Sequence, residues 1–262
     1  MELEQQGLIN ISGKNIEYRW ITNASRKTRP VIVMLHEGLG SVSLWKEFPE
    51  TLSEETGCDI FVYSRPGYGN SDPVDLPRPI EYMHYEGHTV LPEILEMFDQ
   101  DIFLLGHSDG ASVSIIYAGT HQNNRLKGLV LFAPHVFTEE VCIRSIQNAR
   151  KFYDENEDFR KKLSRHHKNV YIAFNGWCDA WLDPRFLDWN IEEYIENVHV
   201  PTLVIQGHDD EYGTIEQVDR IKNKVKHDFE SVLLEDCKHS PHRDREDETL
   251  TAINNFVLRY QN

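Results

Sequence analysis

The stretch Ile102-Phe103-Leu104-Leu105-Gly106-His107-Ser108-Asp109-Gly110-Ala111-Ser112-Val113-Ser114-Ile115-Ile116 decides the fold. Four large apolar residues in succession read as a strand buried on both faces, and the small and β-branched residues from Ser112 to Thr120 read as a helix. Between them lies Gly-x-Ser-x-Gly. Gly106 and Gly110, two residues either side of Ser108, permit the sharp, strained turn that carries a chain directly from strand to helix. A strand feeding a helix in this way implies a crossover and a parallel neighbour.

The same alternation extends outward. Strand-like segments recur at Ile16 to Ile21, Val31 to His36, Ile60 to Ser64, Leu129 to Ala133, Thr202 to Gln206 and Val232 to Leu234. Helical spacing of apolar residues appears in Leu44 to Glu55, Tyr82 to Phe98, Ile215 to Val225 and Glu248 to Tyr260. The expected class is therefore α/β, with a mostly parallel twisted sheet of about eight strands flanked by helices. Its first two strands, separated by Ser12-Gly13-Lys14-Asn15, read as an antiparallel hairpin. One region breaks the pattern: residues 137–197 are helical, polar and rich in aromatics, among them Phe152, Tyr153, Phe159, Tyr171, Phe174, Trp177, Trp181, Phe186, Trp189 and Tyr194. This is read as a helical cap inserted into a core formed by residues 1–136 and 198–262, its rings as a group lining a substrate pocket.

With 262 residues and 40% hydrophobic content, the chain has material for one large core. Twenty-seven basic against 43 acidic residues give a formal charge of -16, which repels a phosphate backbone, so no nucleic-acid partner is expected. Met1 to Gln6 carry neither a basic nor an apolar leader pattern, and apolar runs such as Val31 to Leu35 are far shorter than a membrane span. A cytoplasmic protein with no membrane partner is the expectation. Cys58, Cys142, Cys178 and Cys237 show no C-x-x-C spacing and read as ordinary buried thiols.

Ser108 is a weak nucleophile unless a base lies within hydrogen-bond reach and a third group orients that base. Both follow in the chain. After the strand at Leu203 come Gly207-His208-Asp209-Asp210-Glu211, and after the strand at Val232 come Asp236-Cys237-Lys238-His239. The order Ser108, Asp210, His239 is that of the α/β-hydrolase arrangement. His242 competes for the base, and Asp209 and Glu211 for the acid. His36, His107 and His135 read as hydrogen-bonded neighbours of the pocket. His239-x-x-His242 with Asp244 lacks a further ligand at helical spacing, so no metal is expected, and no cofactor. The basic run Arg160 to Lys168 reads as a solvated helix face, with steering of an anionic substrate as the alternative.

Leu35-His36-Glu37-Gly38-Leu39-Gly40-Ser41, Gly106 to Ala111, Asp209-Asp210-Glu211-Tyr212-Gly213 and His239-Ser240-Pro241-His242-Arg243-Asp244, in that order, make the whole chain resemble the α/β-hydrolase superfamily, and within it bacterial hydrolases of loosely defined substrate. Two residues depart from the wider pattern: Glu37 and Lys238 stand where glycines are common. The resemblance places the catalytic functions on Ser108, Asp210 and His239, and half of an oxyanion hole after the strand at Val31. The backbone N–H groups of Gly38 and Asp109 would then bind the oxyanion. Glu37, Leu39, Trp45, His135, Phe137, Trp177 and Trp181 are the expected pocket residues. The implied activity is that of a serine hydrolase on a small or medium carboxylic ester, thioester or lactone. Carbon-carbon bond hydrolysis or a lyase reaction would use the same residues, and a non-catalytic small-molecule sensor is the reading from another class. A small molecule is the expected partner, with a homo-oligomer left open.

Overall fold

The computed structural model describes residues 4–23 and 29–261. Met1 to Leu3, part of the stretch read for a leader, lie outside them. Strands β1 (Gln6–Ile11) and β2 (Lys14–Ile21) form an antiparallel hairpin, and β2 pairs antiparallel with β4 (Asp59–Tyr63). The connection is tighter than the four residues read from the sequence. Ser12 and Gly13 both take positive φ, 50° and 77°, so two residues suffice and Lys14 already pairs with Ile11. All later pairings are parallel: β3 (Val31–Leu35), β5 (Ile102–His107), β6 (Leu126–Phe132), β7 (Thr202–Gly207) and β8 (Phe229–Leu234) join β4 in an eight-stranded sheet ordered β1-β2-β4-β3-β5-β6-β7-β8.

Alternation along the central strands divides the core. Val31, Val33 and Leu35 join one apolar cluster while Ile32 and Met34 join the other; Ile102 and Leu104 face the first, Phe103 and Leu105 the second. The second is covered by α1 (Phe48–Thr56) and, at the far end of the chain, by α11 (Glu246–Tyr260), which follows the short α10 (Pro241–Asp244). The first is covered by α2 (Tyr82–Tyr85), α3 (Leu91–Leu95), α4 (Asp109–Thr120) and α9 (Ile215–Lys224). The helix expected from Tyr82 to Phe98 is interrupted by a π-helical stretch, Glu86–Val90, and its last turn ends at Leu95. Helix α4 is buried along Asp109 to Ala118, so its start is fixed from all sides.

Between β6 and β7 the chain forms α5 (Glu140–Glu155), α6 (Glu157–Leu163), α7 (Val170–Leu182) and α8 (Glu192–Ile195). Side chains start two of them, since Asn156 accepts from the Phe159 N–H and Asn169 from the Ile172 N–H. One isolated bridge, Phe137 to Asn190, ties the ends of this segment. Among the described residues no helix is long and apolar enough to cross a membrane. All four cysteines are buried and free.

The chain runs from β3 to β4 on one side and reaches β5 on the other. The loops after β3 and β5 therefore diverge, which opens a crevice at the carboxyl ends of the strands.

Candidate active site

Ser108 follows β5 directly and caps α4 with φ 54° and ψ -116°, a conformation a side-chain-bearing residue adopts only under constraint. The constraint is visible on both sides. Its N–H donates to the Phe132 carbonyl at 2.9 Å, its carbonyl accepts from Ala111 N–H at 2.9 Å, and a Cβ on Gly110 would lie 2.1 Å from the Leu35 carbonyl oxygen. Only glycine lets the helix start approach β3 so closely. Asp109 and Gly38 line the same cavity as Ser108, and neither backbone N–H makes a hydrogen bond among the described residues.

The loops after β7 and β8 bring Asp210 and His239 together. His239 Nδ1–H donates to Asp210 Oδ1 at 2.8 Å and Oδ2 at 2.9 Å, which leaves Nε2 as the basic nitrogen. The carboxylate also accepts from Tyr212 N–H at 2.8 Å, Gly213 N–H at 3.2 Å and Gln206 Nε2 at 2.7 Å. Burial alone would push the Asp210 carboxyl up, but His239 and the Tyr212 N–H hold it below the usual range. The same balance acts in reverse on His239: burial opposes its charge, Asp210 favours it, and its pKa rises above the ordinary 6.5. Ser108 Oγ makes no hydrogen bond to His239; the two meet as walls of one cavity.

The rival residues do not join this pair. His242 is wedged between Trp45, at 4.8 Å between ring centres, and Phe132, and burial holds it neutral. Asp209 is exposed, and Glu211 lies on the cavity wall without touching His239 through a hydrogen bond. His107 Nε2–H donates to the His239 carbonyl at 2.7 Å, and its Nδ1 lies 3.5 Å from Glu37, so the residue before Ser108 props the backbone of His239. His135 packs edge-on against Trp181 and is pushed down to about 4 by burial, with His239 adding to the shift. His36 faces away from the cavity and is bonded to Arg65.

The cavity has a volume of about 220 Å³. Of the expected lining, Glu37, Leu39, His135, Trp177 and Trp181 are present, and Trp177 lies so close over Gly38 that a Cβ there would be 2.3 Å from its Nε1. Trp45 and Phe137 are corrections. Trp45 turns under the loop and packs on Phe48 and His242 in the opposite core cluster. Phe137 sits beneath the Arg220 guanidinium, 4.6 Å from its ring centre, outside the cavity. Of the rings between β6 and β7, Phe159, Phe174, Trp177 and Trp181 reach the cavity, while Phe186 and Trp189 stack behind Trp181, and Phe152 and Tyr171 are exposed. Cys142, Ile146 and Ala149 also line it, a wall not foreseen although spacings of four and three put them on one face of α5.

Across residues 30–192 the sequence matches the family profile of the alpha/beta hydrolase fold. The chain is an α/β hydrolase. Among curated relatives of this hydrolase, a proline iminopeptidase of Thermoplasma volcanium is 23% identical over 97% of this chain and 96% of its own. Among solved structures, an esterase from Exiguobacterium antarcticum superposes with TM-score 0.74 at 19% identity, covering 96% of this chain and 98% of that one. An enol-lactonase from Burkholderia xenovorans gives 0.72 at 18%, covering 96% and 100%. At these identities the structural likeness carries the fold.

Proposed function

We propose that this α/β hydrolase is a serine hydrolase cleaving a small carboxylic ester, with a thioester or lactone as equivalent substrates, through an acyl-enzyme on Ser108. The observation that carries the reading is the His239–Asp210 pair, bonded through Nδ1, with His239 lining the cavity that holds Ser108. Ser108 Oγ attacks the carbonyl carbon as its proton passes to His239 Nε2, and Asp210 holds the imidazole and the charge it gains. The N–H groups of Gly38 and Asp109 receive the oxyanion. The leaving alcohol takes the proton back from His239, then water, deprotonated by the same nitrogen, releases the acid. Residues 137–197 serve as the cap. A cavity of about 220 Å³ falls below the roughly 300–1,000 Å³ of sites for drug-sized ligands, which favours short acyl groups.

A second reading, removal of an N-terminal residue from a peptide, is favoured by the curated relatives and by Glu37 and Glu211, two carboxylates on the cavity wall to which a substrate ammonium could bind. The test is a kinetic panel of p-nitrophenyl acetate, butyrate and decanoate, γ-butyrolactone and prolyl-p-nitroanilide, on wild type and Ser108→Ala. Turnover of the short esters or the lactone, absent in Ser108→Ala, is the expected result. Preferred turnover of the anilide installs the second reading, and turnover retained by Ser108→Ala refutes both.

A further inference from the structure

The loop after β4, Ser64-Arg65-Pro66-Gly67-Tyr68-Gly69, contributes no atom to the wall of the cavity, yet its Arg65 side chain is wholly buried behind it. A buried guanidinium must be compensated, and its partners are informative. One Nη2–H donates to the Glu37 carbonyl at 2.9 Å. The backbone N–H of Arg65 donates to His36 Nε2 at 3.0 Å; since that nitrogen accepts, His36 carries its proton on Nδ1, which donates to the same Glu37 carbonyl at 2.7 Å. Burial, and after it the charge on Arg65, keeps His36 neutral. Gly40 N–H adds a third donor at 3.0 Å. In a planar trans peptide the carbonyl and the following N–H point in opposite directions. Fixing the Glu37 oxygen from behind with three donors therefore fixes the direction of the Gly38 N–H.

The same guanidinium approaches Asp109 Oδ2 at 3.4 Å and 3.5 Å. Tyr82 OH donates to that oxygen at 2.5 Å, and Trp181 Nε1–H donates to Oδ1 at 3.2 Å. Asp109 follows the nucleophile directly, and its own N–H is the second donor of the proposed oxyanion site. A lone carboxylate there would repel charge developing on the substrate; Arg65 cancels it and, with Tyr82 and Trp181, holds the residue.

We propose that Arg65 is the positioning residue of the oxyanion site, one guanidinium setting both backbone donors: Gly38 N–H through the Glu37 carbonyl and Asp109 N–H through the Asp109 carboxylate. The proposal rests on the serine-hydrolase reading and adds the means by which its transition state is held. It predicts a defect confined to the oxyanion. Arg65→Lys keeps the charge but loses the fork that reaches both partners, so kcat should fall about 10²-fold, the typical effect of losing one oxyanion donor, with KM changed less than about threefold.

The experiment measures kcat, KM, melting temperature and the inhibition constants of two ligands, a trifluoromethyl ketone and butyrate, for wild type, Ser108→Ala, Arg65→Lys and Tyr82→Phe. The ketone becomes an oxyanion on Ser108, whereas butyrate mimics bound product. The expected result is ketone affinity falling in step with kcat/KM across the Arg65 and Tyr82 variants while butyrate affinity holds. Tyr82→Phe, which keeps the ring and leaves the ion pair in place, should show the same pattern at about fivefold, the effect of one ordinary hydrogen bond; if Arg65→Lys does not fold, unchanged ketone affinity in this variant overturns the Asp109 half of the proposal, and Arg65→Gln, which keeps a donor without the fork, tests the rest. Folded variants with unchanged ketone affinity, or with ketone and butyrate affinities falling together, overturn the proposal. Hydrolysis persisting in Ser108→Ala marks instead the failure of the underlying reading.

Discussion

Two buried carboxylates flank Ser108 and are held in opposite ways. Asp210 sits on a loop, takes three hydrogen bonds from its own surroundings, and turns its remaining capacity on His239, a group that exchanges protons near neutrality. Asp109 sits at the start of α4 and is bound to Arg65, Tyr82 and Trp181, none of which gives up a proton at neutral pH. The partner, more than the residue type, sets the proposed role: the first carboxylate would tune a base, the second would act as a strut. The pH profile of activity in variants of each should separate them.

The largest effect is expected for Asp210→Asn. The imidazole would lose its orienting partner, and the rate should drop by about 10⁴, as in other serine triads. In the proposed mechanism the base acts when neutral, so activity should rise with pH through the His239 pKa, which is raised above the ordinary 6.5. Without Asp210 that limb moves to lower pH; a pH series of kcat/KM reads both changes. Asp109→Asn should lower kcat by about 10² and leave the acidic limb in place, with a stability loss of roughly 3–5 kcal/mol for an unpaired buried partner seen in chemical denaturation. An acidic limb displaced in Asp109→Asn would break the comparison.

Trp181→Phe sharpens it at smaller scale. Loss of one donor to Asp109 should cost about fivefold in kcat with the ring wall kept, whereas the same change at Trp177, which makes no such bond, should alter acyl-chain preference alone. His242→Asn, on the far side of His107, should leave activity within about twofold and cost roughly 1–3 kcal/mol of packing. Last, His135 and His167 have pKa values held at about 4 by burial. The unfolded chain binds protons there from about pH 6.5 downward, so stability present above that pH is lost progressively toward pH 4. Melting temperature across that window checks the sign.

The strand-turn-helix around Ser108 was legible because its apolar run, flanking glycines and helix are contiguous. So was the pairing of Asp210 with His239, each placed in a loop that follows an apolar strand. The strut was not. Arg65, Tyr82 and Trp181 are scattered over more than a hundred positions with no shared spacing, and their meeting depends on how the loop after β4, α2 and α7 pack together. Trp45 and Phe137 were misplaced for a related reason: proximity to a motif in sequence does not fix where a side chain turns, and Trp45 goes to the opposite core cluster while Phe137 stays on the cavity's side of the sheet but under Arg220. The π-helical stretch within Tyr82 to Leu95 was likewise hidden, since its apolar spacing is almost that of an unbroken helix.

The central claim is that Ser108 is a nucleophile activated by His239. Intact mass after exposure to a fluorophosphonate tests it most directly, on wild type, Ser108→Ala and His239→Ala. The account predicts a single adduct on the wild type, none on Ser108→Ala and none on His239→Ala within the same exposure. An adduct retained by Ser108→Ala, or a folded wild type that takes none, would contradict it.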